Sequence, residues 1–441
     1  MPERHFLLRS EPCVETEDLS PSFFLRYNRS MPDSDRPGKQ LVIVGGGFAG
    51  IEAAFTLREL LGSAVRITLI DRSPYHYFIP SIHEIISGKV EPQQIRIPLR
   101  TMLVPAGIDC IQEEVLDLDR GQRRIIADKS VLAYDYLVLC IGAENNFFNI
   151  PGAAELACRF RSADDAEQIR ARLAHIMQDE ACSYTVMIAG GGTEGIEVVG
   201  EVVDAVENGC GSDAIKTGRI TIELIEAQDR PLPGFPDKVR DFAGDYLGKR
   251  GVTLTTGSRI AEVRKDSVLL DNGAIRPVSL LIWTGGIQPP KLVGTLSLPK
   301  DPSGWLKVNE HLQVFDDDRI YGIGDAVSIY EGKEPMRIAR LAYHAEDQAH
   351  IAALNIAGQL NNRPLIPYVP KLKPQLVSLG RDMGLYIEGN EFRSGAWVVM
   401  VKKAIEKKHL LANLSRPLAS ALWSKLPGAG LVNRLRLERK V

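Results

Sequence analysis

The chain contains two glycine fingerprints of the same kind, about 145 residues apart. They read LVIVGGGFAG over residues 41–50 and VMIAGGGTEG over residues 186–195. Each follows an apolar run typical of a buried strand, and each opens a segment with helical periodicity. Glycines at these positions allow a tight turn, close approach of the backbone to a diphosphate, and tight packing of the helix on the sheet. Two such units predict two bound dinucleotides, although a strand–helix turn that binds nothing would show the same pattern.

Each fingerprint is followed by a second apolar strand that ends in a carboxylate. The first of these strands ends in Asp71 and the second in Glu226. A carboxylate at this strand end is placed to accept hydrogen bonds from a ribose hydroxyl. Glu226 would repel a 2′-phosphate, so we expect the second site to prefer NADH over NADPH. We interpret the polar segment 207–219 as an inserted loop, and either acid could instead be a solvated strand end.

Composition sets the broad class of the protein. A chain of 441 residues with 44% hydrophobic and 25% charged residues is long enough for two or three soluble domains. The net charge of −3 argues against a general nucleic-acid binder. There is no run of 18 apolar residues, so we predict no transmembrane helix. The six cysteines form no C-x-x-C pair and no zinc-type spacing, so we expect no metal site and a reducing compartment.

The order of the motifs predicts an α/β fold with two Rossmann-like dinucleotide-binding domains, the second inserted in the first. A strand followed by glycine at 137–142 recurs at 280–286, so we expect the chain to return to the first domain at Leu280. The predicted parts are a flexible N-terminal extension at 1–38, the first domain at 39–150 and 280–365, the second domain at 151–279 and a C-terminal region at 366–441. Met31 lies ten residues before the first strand and is a candidate for the natural start.

A later motif connects these units to a known family. The sequence YGIGDA at 321–326 resembles the late flavin motif of the two-dinucleotide flavoproteins, the relatives of glutathione reductase. In that family the aspartate, here Asp325, holds the ribityl chain of the flavin. The resemblance covers about residues 40–330 and implies that the first domain binds FAD and the second binds NADH.

Within that family the chain is most similar to the type II NADH dehydrogenases. The likeness rests on PYHYFIP at 74–80 with Gly88, SADDA at 162–166 and GTEGIEVVGE at 192–201. It implies transfer of a hydride from NADH to FAD and of two electrons to a membrane quinone, without proton pumping. The residues expected to hold the two cofactors are Gly45, Gly47, Phe48, Ala49, Gly50, Asp71, Arg72, Gly142, Asp325, Ala326, Gly190, Gly192, Thr193, Gly195, Glu226 and Gly285.

The expected acceptor pocket departs from the family pattern. These dehydrogenases usually carry Ala-Gln-x-Ala-x-Gln beside the quinone, whereas residues 342–348 read AYHAEDQ, with Tyr343 and Asp347 at the glutamine positions. We expect Tyr343, His344 and Asp347 to line the acceptor site. His344 could deliver protons near neutral pH or be a hydrogen-bonded structural histidine. The resemblance gives Glu197 a role in nicotinamide placement or proton supply, against the alternative of an ordinary surface acid.

The C-terminal tail is basic and amphipathic. Residues 397–441 hold ten Lys or Arg and two Glu, a local net charge of +8, while the rest of the chain carries −11. Trp423 accompanies apolar residues at helical spacing, which are Trp397, Val398, Val401, Ile405, Leu418, Leu422 and Leu426. The pattern predicts peripheral docking on an anionic membrane surface at the cytoplasmic side of the cell membrane. The alternative is a helix that packs in a dimer or between domains, and the family makes a homodimer plausible.

The sequence leaves three functions open. The first is electron transfer from NADH through FAD to a quinone or another small acceptor. A sulfide:quinone reductase shares the fold but requires paired reactive cysteines near the flavin, and no cysteine follows Cys210. The third is a redox-signalling protein that binds both cofactors but turns over slowly.

Overall fold

The computed structural model of the protein describes residues 38–336 and 338–423. The predicted N-terminal extension up to residue 37, including Met31, lies outside the described residues. Leu426 and the side chains of Leu418, Leu422 and Trp423 also lie outside the described part. Residues 38–420 form one compact unit.

The helices of the described part are α1 Phe48–Leu61, α2 Pro92–Ile95, α3 Leu99–Leu103, α4 Ala153–Leu156, α5 Ala163–Gln178, α6 Thr193–Cys210, α7 Asp213–Lys216, α8 Asp237–Lys249, α9 Lys291–Thr295, α10 Ala342–Leu360 and α11 Ala396–Trp423. Short 3-10 helices lie at Gly62–Ala64, Ile79–Ile85, Val104–Ala106 and Gly324–Ala326.

The strands are β1 Lys39–Val44, β2 Val65–Asp71, β3 Tyr75–Tyr77, β4 Arg96–Pro98, β5 Asp109–Gln112, β6 Val115–Asp119, β7 Arg124–Ala127, β8 Val131–Ala133, β9 Tyr136–Leu139, β10 Glu144–Asn145, β11 Tyr184–Ala189, β12 Ile220–Glu226, β13 Val252–Thr256, β14 Ile260–Val263, β15 Ser267–Leu270, β16 Ile275–Pro277, β17 Leu280–Trp283, β18 Ile287–Gln288, β19 Leu306–Asn309, β20 Ile320–Gly322, β21 Val327–Glu331, β22 Glu334–Pro335, β23 Gln375–Ser378, β24 Gly384–Glu388 and β25 Glu391–Gly395.

The first fingerprint lies in a parallel sheet of five strands, in the order β20-β9-β1-β2-β5. Four consecutive residues at the end of β1 are buried, as expected for a strand covered on both faces. Strand β20 joins this sheet although it lies about 180 residues after β9 in the chain. The α/β fold with an interrupted first sheet, predicted from the motif order, is therefore observed.

The second fingerprint lies in a parallel sheet of four strands, in the order β13-β12-β11-β17. Strand β17 pairs with β11, so the prediction that the chain returns to the first domain at Leu280 is wrong. An apolar strand followed by glycine lies directly beside the fingerprint strand in both sheets, as β9 beside β1 and β17 beside β11, and this pattern cannot tell which sheet a strand joins. The chain leaves the second sheet after Trp283 and continues into β18, which pairs with β10.

The interpretation of residues 207–219 as a polar loop is also wrong. Helix α6 continues to Cys210 and α7 follows almost at once. Val203 and Val206 of α6 and Ala214 of α7 are buried in one hydrophobic cluster, and this packing outweighs the polar residues of the segment. Gly211, with a φ of +80°, lets the chain turn out of α6.

A third, antiparallel sheet of β23, β24 and β25 packs against α6. Gly200 permits this approach, because a side chain there would overlap the backbone at Leu379 and Gly380. The carboxylate of Asp204 is fully buried and accepts hydrogen bonds from Lys89 (2.7 Å) and the backbone N–H of Arg381 (2.7 Å). The C-terminal sheet is therefore fixed on the fingerprint helix, and α11 continues from it.

Candidate active site

The first fingerprint forms a rigid turn with an open helix end. Gly45 has a φ of +109°, and a side chain there would overlap the carbonyl oxygen of Cys140. Gly50 likewise has no room, because its Cβ would overlap the carbonyl oxygen of Gly45. At Gly47, by contrast, no described atom lies within 4 Å of the place of a Cβ. Helix α1 starts there without a side-chain cap, so its first N–H groups are available to an anion.

The second fingerprint repeats this geometry. Gly190 has a φ of +108°, and its Cβ would lie 2.6 Å from the Cα of Gly285. A Cβ at Gly195 would overlap the carbonyl oxygen of Gly190, whereas a Cβ at Gly192 would meet no described atom within 4 Å. Helix α6 starts beyond Gly192 at Thr193, again without a side-chain cap. In both loops, therefore, the first and third glycines of the motif have no room for a side chain, whereas the second glycine does.

Both strand-end carboxylates hold their fingerprint loops. Asp71 accepts hydrogen bonds from the backbone N–H of Gly46 (2.6 Å) and Ser73 (2.7 Å). Burial raises the pKa of Asp71 more than these hydrogen bonds lower it. Glu226 is buried and accepts hydrogen bonds from the backbone N–H of Gly191 (2.6 Å) and Gln228 (2.7 Å). Each acid is thus fixed beside its glycine loop, as the sequence predicts for a ribose-binding carboxylate.

The late motif lies against the first helix. Ala49, in the first turn of α1, has its Cβ close to Gly324. The backbone N–H of Gly324 donates a hydrogen bond to Gln348 of α10 (2.7 Å). Burial raises the pKa of Asp325, while the nearby Arg161 and Arg340 guanidinium groups lower it. Asp325 is therefore held at the meeting of α1, α10 and the loop that carries it.

These features fit FAD and a nicotinamide dinucleotide. Gly47 and Gly192 leave space where a diphosphate would contact the N-terminus of a helix. Asp71 and Glu226 lie at the strand ends where the riboses would bind. Gly142, with a φ of +68°, follows β9 beside the first loop. Gly285 follows β17 and lies beside Gly190.

Phe48 and Arg72 have different environments. The Phe48 ring contacts the rings of His76, Phe78 and His409, with centroid separations of 5.1, 5.6 and 5.3 Å. Helix α11 thus reaches the flavin-type loop through His409. Arg72 is exposed, and its guanidinium lies 3.7 Å from the Glu114 carboxylate.

The three predicted acceptor-site residues bind different partners. His344 is buried, and its Nδ1 lies 2.9 Å from the Tyr368 hydroxyl. It lines a cavity of about 190 Å³ that also contacts Asp325. Burial lowers the pKa of His344 more than the Asp347 carboxylate raises it. Asp347 pairs with Lys373 (2.9 Å), whose ammonium also lies over the Tyr343 ring.

Glu197 lies where α6 meets α11, β23 and the 3-10 helix Ile79–Ile85. Its carboxylate accepts hydrogen bonds from Lys402 Nζ (2.5 Å) and the Ser378 backbone N–H (3.0 Å). Its Oε2 lies 3.7 Å from His83 Nδ1. Burial raises the pKa of Glu197, but the Lys402 ammonium, His83 and the Ser378 N–H together outweigh this and the pKa is lowered. Glu197 is therefore a paired interior carboxylate, and the ordinary-surface interpretation does not fit its surroundings.

Glu194 is a site residue that the sequence interpretation missed. It lies in the first turn of α6, where its charge interacts with those of Arg161, Glu197 and Asp325. Burial, together with the two carboxylates, raises its pKa to about 7. The signal was present in the sequence, because an acid inside a diphosphate-binding fingerprint is close to the expected anion.

Comparison with known proteins identifies the family. Residues 39–349 match the model of the pyridine nucleotide-disulphide oxidoreductases. The chain belongs to this family. Pyridine nucleotide-disulphide oxidoreductases bind FAD and a nicotinamide dinucleotide, as the two loops and Asp325 predict.

Individual members of the family support the more specific resemblance. The chain is 28% identical over 356 residues to demethylphylloquinone reductase NdbB of Synechocystis sp., which covers 78% of this chain and 85% of the relative. It is 22% identical to the type II NADH:quinone oxidoreductase of Staphylococcus saprophyticus, covering 84% and 94%. The similarity to type II NADH dehydrogenases, inferred from short motifs, is confirmed.

Solved structures share the fold. NDH2 from Plasmodium falciparum in complex with NADH superposes with a TM-score of 0.75 at 20% identity, covering 89% of this chain and 99% of that one. The sulfide:quinone oxidoreductase of Aquifex aeolicus superposes with a TM-score of 0.73 at 21% identity, covering 86% and 92%. At these identities the likeness shows the two-domain α/β fold alone.

Proposed function

We propose that this protein oxidises NADH and passes two electrons, by way of FAD, to a quinone. The observation that carries the proposal is the convergence of both fingerprint helices on the late motif. Ala49 of α1 lies against Gly324, and Glu194 of α6 interacts electrostatically with Asp325. Dinucleotides on these two helix ends would bring their redox-active rings to the same place. The relatives named for NADH and for quinones support this reaction class.

We assign FAD to the unit of residues 39–150 and 286–365, and NADH to residues 151–285. The second range extends past the predicted boundary at 279 because β17 pairs within the second sheet. FAD, when bound, supplies the two-electron chemistry. On the FAD side, the residues assigned to hold it are Gly45, Gly47, Phe48, Ala49, Gly50, Asp71, Arg72, Gly142, Asp325 and Ala326. On the NADH side, they are Gly190, Gly192, Thr193, Gly195, Glu226 and Gly285.

The second site is built for a ribose without a 2′-phosphate. Glu226 carries a buried carboxylate at the ribose-binding end of β12. Arg230, the nearest following arginine, pairs with Asp229 (3.3 Å), Asp237 (2.7 Å) and Asp241 (3.0 Å). Its charge is therefore already balanced by carboxylates, and a phosphate would have to displace them. This arrangement favours NADH over NADPH.

Replacing Glu226 should reduce this selectivity. In Glu226→Gln the amide can still accept a hydrogen bond, but the negative charge that repels a 2′-phosphate is lost. We expect the NADH-to-NADPH preference in kcat/KM to fall about tenfold, which corresponds to about 1.4 kcal/mol. Glu262→Gln, an exposed glutamate paired with Arg264, is the matched control. An unchanged preference in Glu226→Gln would show that this carboxylate does not select the nucleotide.

For the acceptor side, we propose that Tyr343, His344 and Asp347 border the quinone and that Glu197 supplies a proton. Burial lowers the pKa of His344, so its imidazole is neutral near pH 7. It therefore borders the quinone as a hydrogen-bonding group and not as a cation. Glu197 is held by Lys402 and lies one helical turn beyond Thr193. Reduction of a quinone requires protons, and an interior carboxylate paired with an ammonium can carry them.

We propose that α11 docks on an anionic membrane surface at the cytoplasmic side of the cell membrane. Its exposed residues include the apolar side chains of Trp397, Met400, Val401, Ile405 and Leu411. Lys407 and Lys408 are also exposed and would attract anionic lipid headgroups. None of the described helices is long and apolar enough to span a membrane.

The inner face of α11 differs from the sequence expectation. Lys402 and Arg416 face the body and pair with Glu197 and Glu52, and the half-exposed Lys403 pairs with Glu84. A helix that turns part of its charge inward and exposes several large apolar residues differs from an ordinary surface helix. The apolar outer face is therefore the stronger argument for docking, and the total charge of the tail overstates the basic surface.

Placing charges on this outer face should release the protein from vesicles. In the double variant Val401→Asp/Ile405→Asp we expect flotation with anionic vesicles to weaken at least about a hundredfold, because burying each apolar side chain contributes about 1.5–3 kcal/mol. Leu116→Asp/Ile275→Asp, at two exposed apolar positions elsewhere, should float like the wild type. A wild-type protein that forms a dimer and does not float would instead assign the face to a second copy.

The proposed reaction is tested by steady-state oxidation of NADH with different acceptors. We expect rapid turnover with soluble ubiquinone and menaquinone analogues and no reaction with sulfide as donor. Turnover with ferricyanide but with no quinone would show that the natural acceptor belongs to another class.

A further inference from the structure

A mixed charge cluster lies under α11 and does not belong to either dinucleotide loop. It contains the carboxylates of Glu84, Glu197 and Glu406 and the ammonium groups of Lys402 and Lys403. Lys402 contacts Glu197 (2.5 Å) and Glu406 (3.9 Å), and Lys403 contacts Glu84 (3.2 Å). With every group ionised, the cluster holds one more negative than positive charge. One bound proton therefore makes it neutral.

Glu406 is the carboxylate of the cluster whose negative charge is stabilised least by its neighbours. Its Oε2 accepts a hydrogen bond from the Ser81 hydroxyl (3.0 Å). Its Oε1 is buried and has no hydrogen-bond partner among the described residues. A buried carboxylate oxygen without a donor favours the protonated form. Oε1, which accepts no hydrogen bond and lies 3.9 Å from Lys402 Nζ, thus marks where the extra proton of the cluster resides.

The surroundings of Glu406 agree with this assignment. The ionisable groups that face it are Glu84 from the 3-10 helix, Glu197 from α6 and Lys402 from its own helix. Burial raises the pKa of Glu406 to about 7, with the two carboxylates adding to the effect and Lys402 opposing it. His83, which also contacts Lys402, stays neutral because burial and the nearby ammonium groups lower its pKa to about 3. Among the carboxyls of the cluster, Glu406 is therefore the one that exchanges a proton near neutral pH.

The cluster has one end toward solvent and one toward the cofactor loops. Lys403 is 41% exposed and is paired with Glu84. At the other end, Glu197 interacts with Glu194, which in turn interacts with Asp325 of the flavin-type motif. Charged and titratable groups that interact electrostatically are therefore present from the outside of the molecule to the surroundings of Asp325.

We propose that Glu406 takes up a proton from solvent and delivers it, through Lys402 and Glu197, to the reduced acceptor. The inference rests on the proposed function, because reduction of a quinone by NADH consumes one proton from solvent for each pair of electrons. The Lys402 ammonium gives a proton to the Glu197 carboxylate, Glu197 passes it to an acceptor oxygen, and the Glu406 carboxyl restores the Lys402 ammonium. The Glu406 carboxylate then regains a proton on the solvent side, beside Glu84 and Lys403.

The test compares the wild type with Glu406→Gln, which keeps the shape of the side chain but cannot exchange a proton. Glu391→Gln, at an exposed glutamate paired with Lys238, is the control. In the holoenzyme, we expect flavin reduction by NADH to be unchanged in both variants. Reoxidation of the flavin by a soluble quinone analogue should slow at least about tenfold in Glu406→Gln only and lose its decline above about pH 7. Glu406→Asp should recover part of the rate.

A second measurement reports on the proton itself. Infrared spectra should show a protonated-carboxyl band that titrates near pH 7 in all three proteins, because the pKa of Glu194 is also raised to about 7, but the band should be weaker in Glu406→Gln than in the wild type and in Glu391→Gln. The folded-state pKa of Glu406 lies above its ordinary value of 4.5, so its contribution to stability is complete below about pH 4.5 and is lost as the pH rises through about 7. The melting temperature should therefore fall less between about pH 5 and about pH 8 in Glu406→Gln than in the wild type.

The outcomes separate this inference from the proposed function. If wild-type flavin is reoxidised by quinone and Glu406→Gln matches it at every pH, the proton route is wrong while the proposed function stands. If the wild type reduces no quinone, the proposed function is wrong, and the infrared titration alone decides whether Glu406 exchanges the proton. A titrating band that keeps its full wild-type intensity in Glu406→Gln would overturn the inference in either case.

Discussion

Gly47→Val is expected to give a folded protein that has lost its flavin. A Cβ at Gly47 meets no described atom within 4 Å, and the residue has an ordinary φ of −76°, so valine can be accommodated by the protein. The same space is where the diphosphate of FAD would contact the N-terminus of α1. Steric overlap of this kind costs about 1–3 kcal/mol, so flavin affinity should fall by roughly tenfold to a hundredfold. The measurement is the flavin-to-protein absorbance ratio after dialysis.

The control for Gly47→Val is Gly294→Val. Gly294 also has no described atom within 4 Å of its Cβ position, but it lies in α9, away from both loops. It should keep the wild-type flavin content. A Gly47→Val protein that stays yellow after dialysis would show that the first loop does not hold the cofactor.

Gly192→Val is expected to separate the two sites. Gly192 has a φ of −66° and the same open Cβ position at the start of α6. The variant should bind flavin normally, because the first loop is intact, but its Kd for NADH should rise by roughly tenfold to a hundredfold. Stopped-flow bleaching of the flavin against NADH concentration measures this constant. Loss of flavin from Gly192→Val, with NADH affinity unchanged, would mean that the two loops have been assigned to the wrong cofactors.

The two dinucleotide loops were predictable because their physics is local. The turn, the helix N-terminus and the strand-end acid lie within about 40 residues of each other, and the steric limits on Gly50 and Gly195 act within each loop. The carboxylates of Asp71 and Glu226 hold the loops as the sequence predicts. Interactions of this kind join residues that are close in the sequence, so the spacing of the residues is enough to predict them.

The placement of β17 and the surroundings of Glu197 were not predictable in the same way. Strand pairing depends on which sheet has a free edge, and Leu280–Trp283 has no residue that distinguishes the two sheets. Ser378 and Lys402 reach Glu197 from 181 and 205 residues away. Their positions depend on the packing of the third sheet against α6, which no local pattern encodes.

The tail shows how composition alone can mislead. The sequence indicates a basic amphipathic helix, and α11 is helical with an apolar outer face. However, Arg416 and Lys403 pair with Glu52 and Glu84, because the body offers carboxylates along the inner face of the helix. Counting charges gave the correct sign of the tail but could not show which way each side chain points.

The most direct test of the proposed electron transfer is a single turnover of the flavin-loaded protein without oxygen. We expect NADH to bleach the flavin faster than the steady-state turnover rate and NADPH to do so much more slowly. A quinone analogue should then restore the yellow colour. A flavin that binds but is not bleached by NADH would contradict the claim that the two loops bring a nicotinamide and a flavin together.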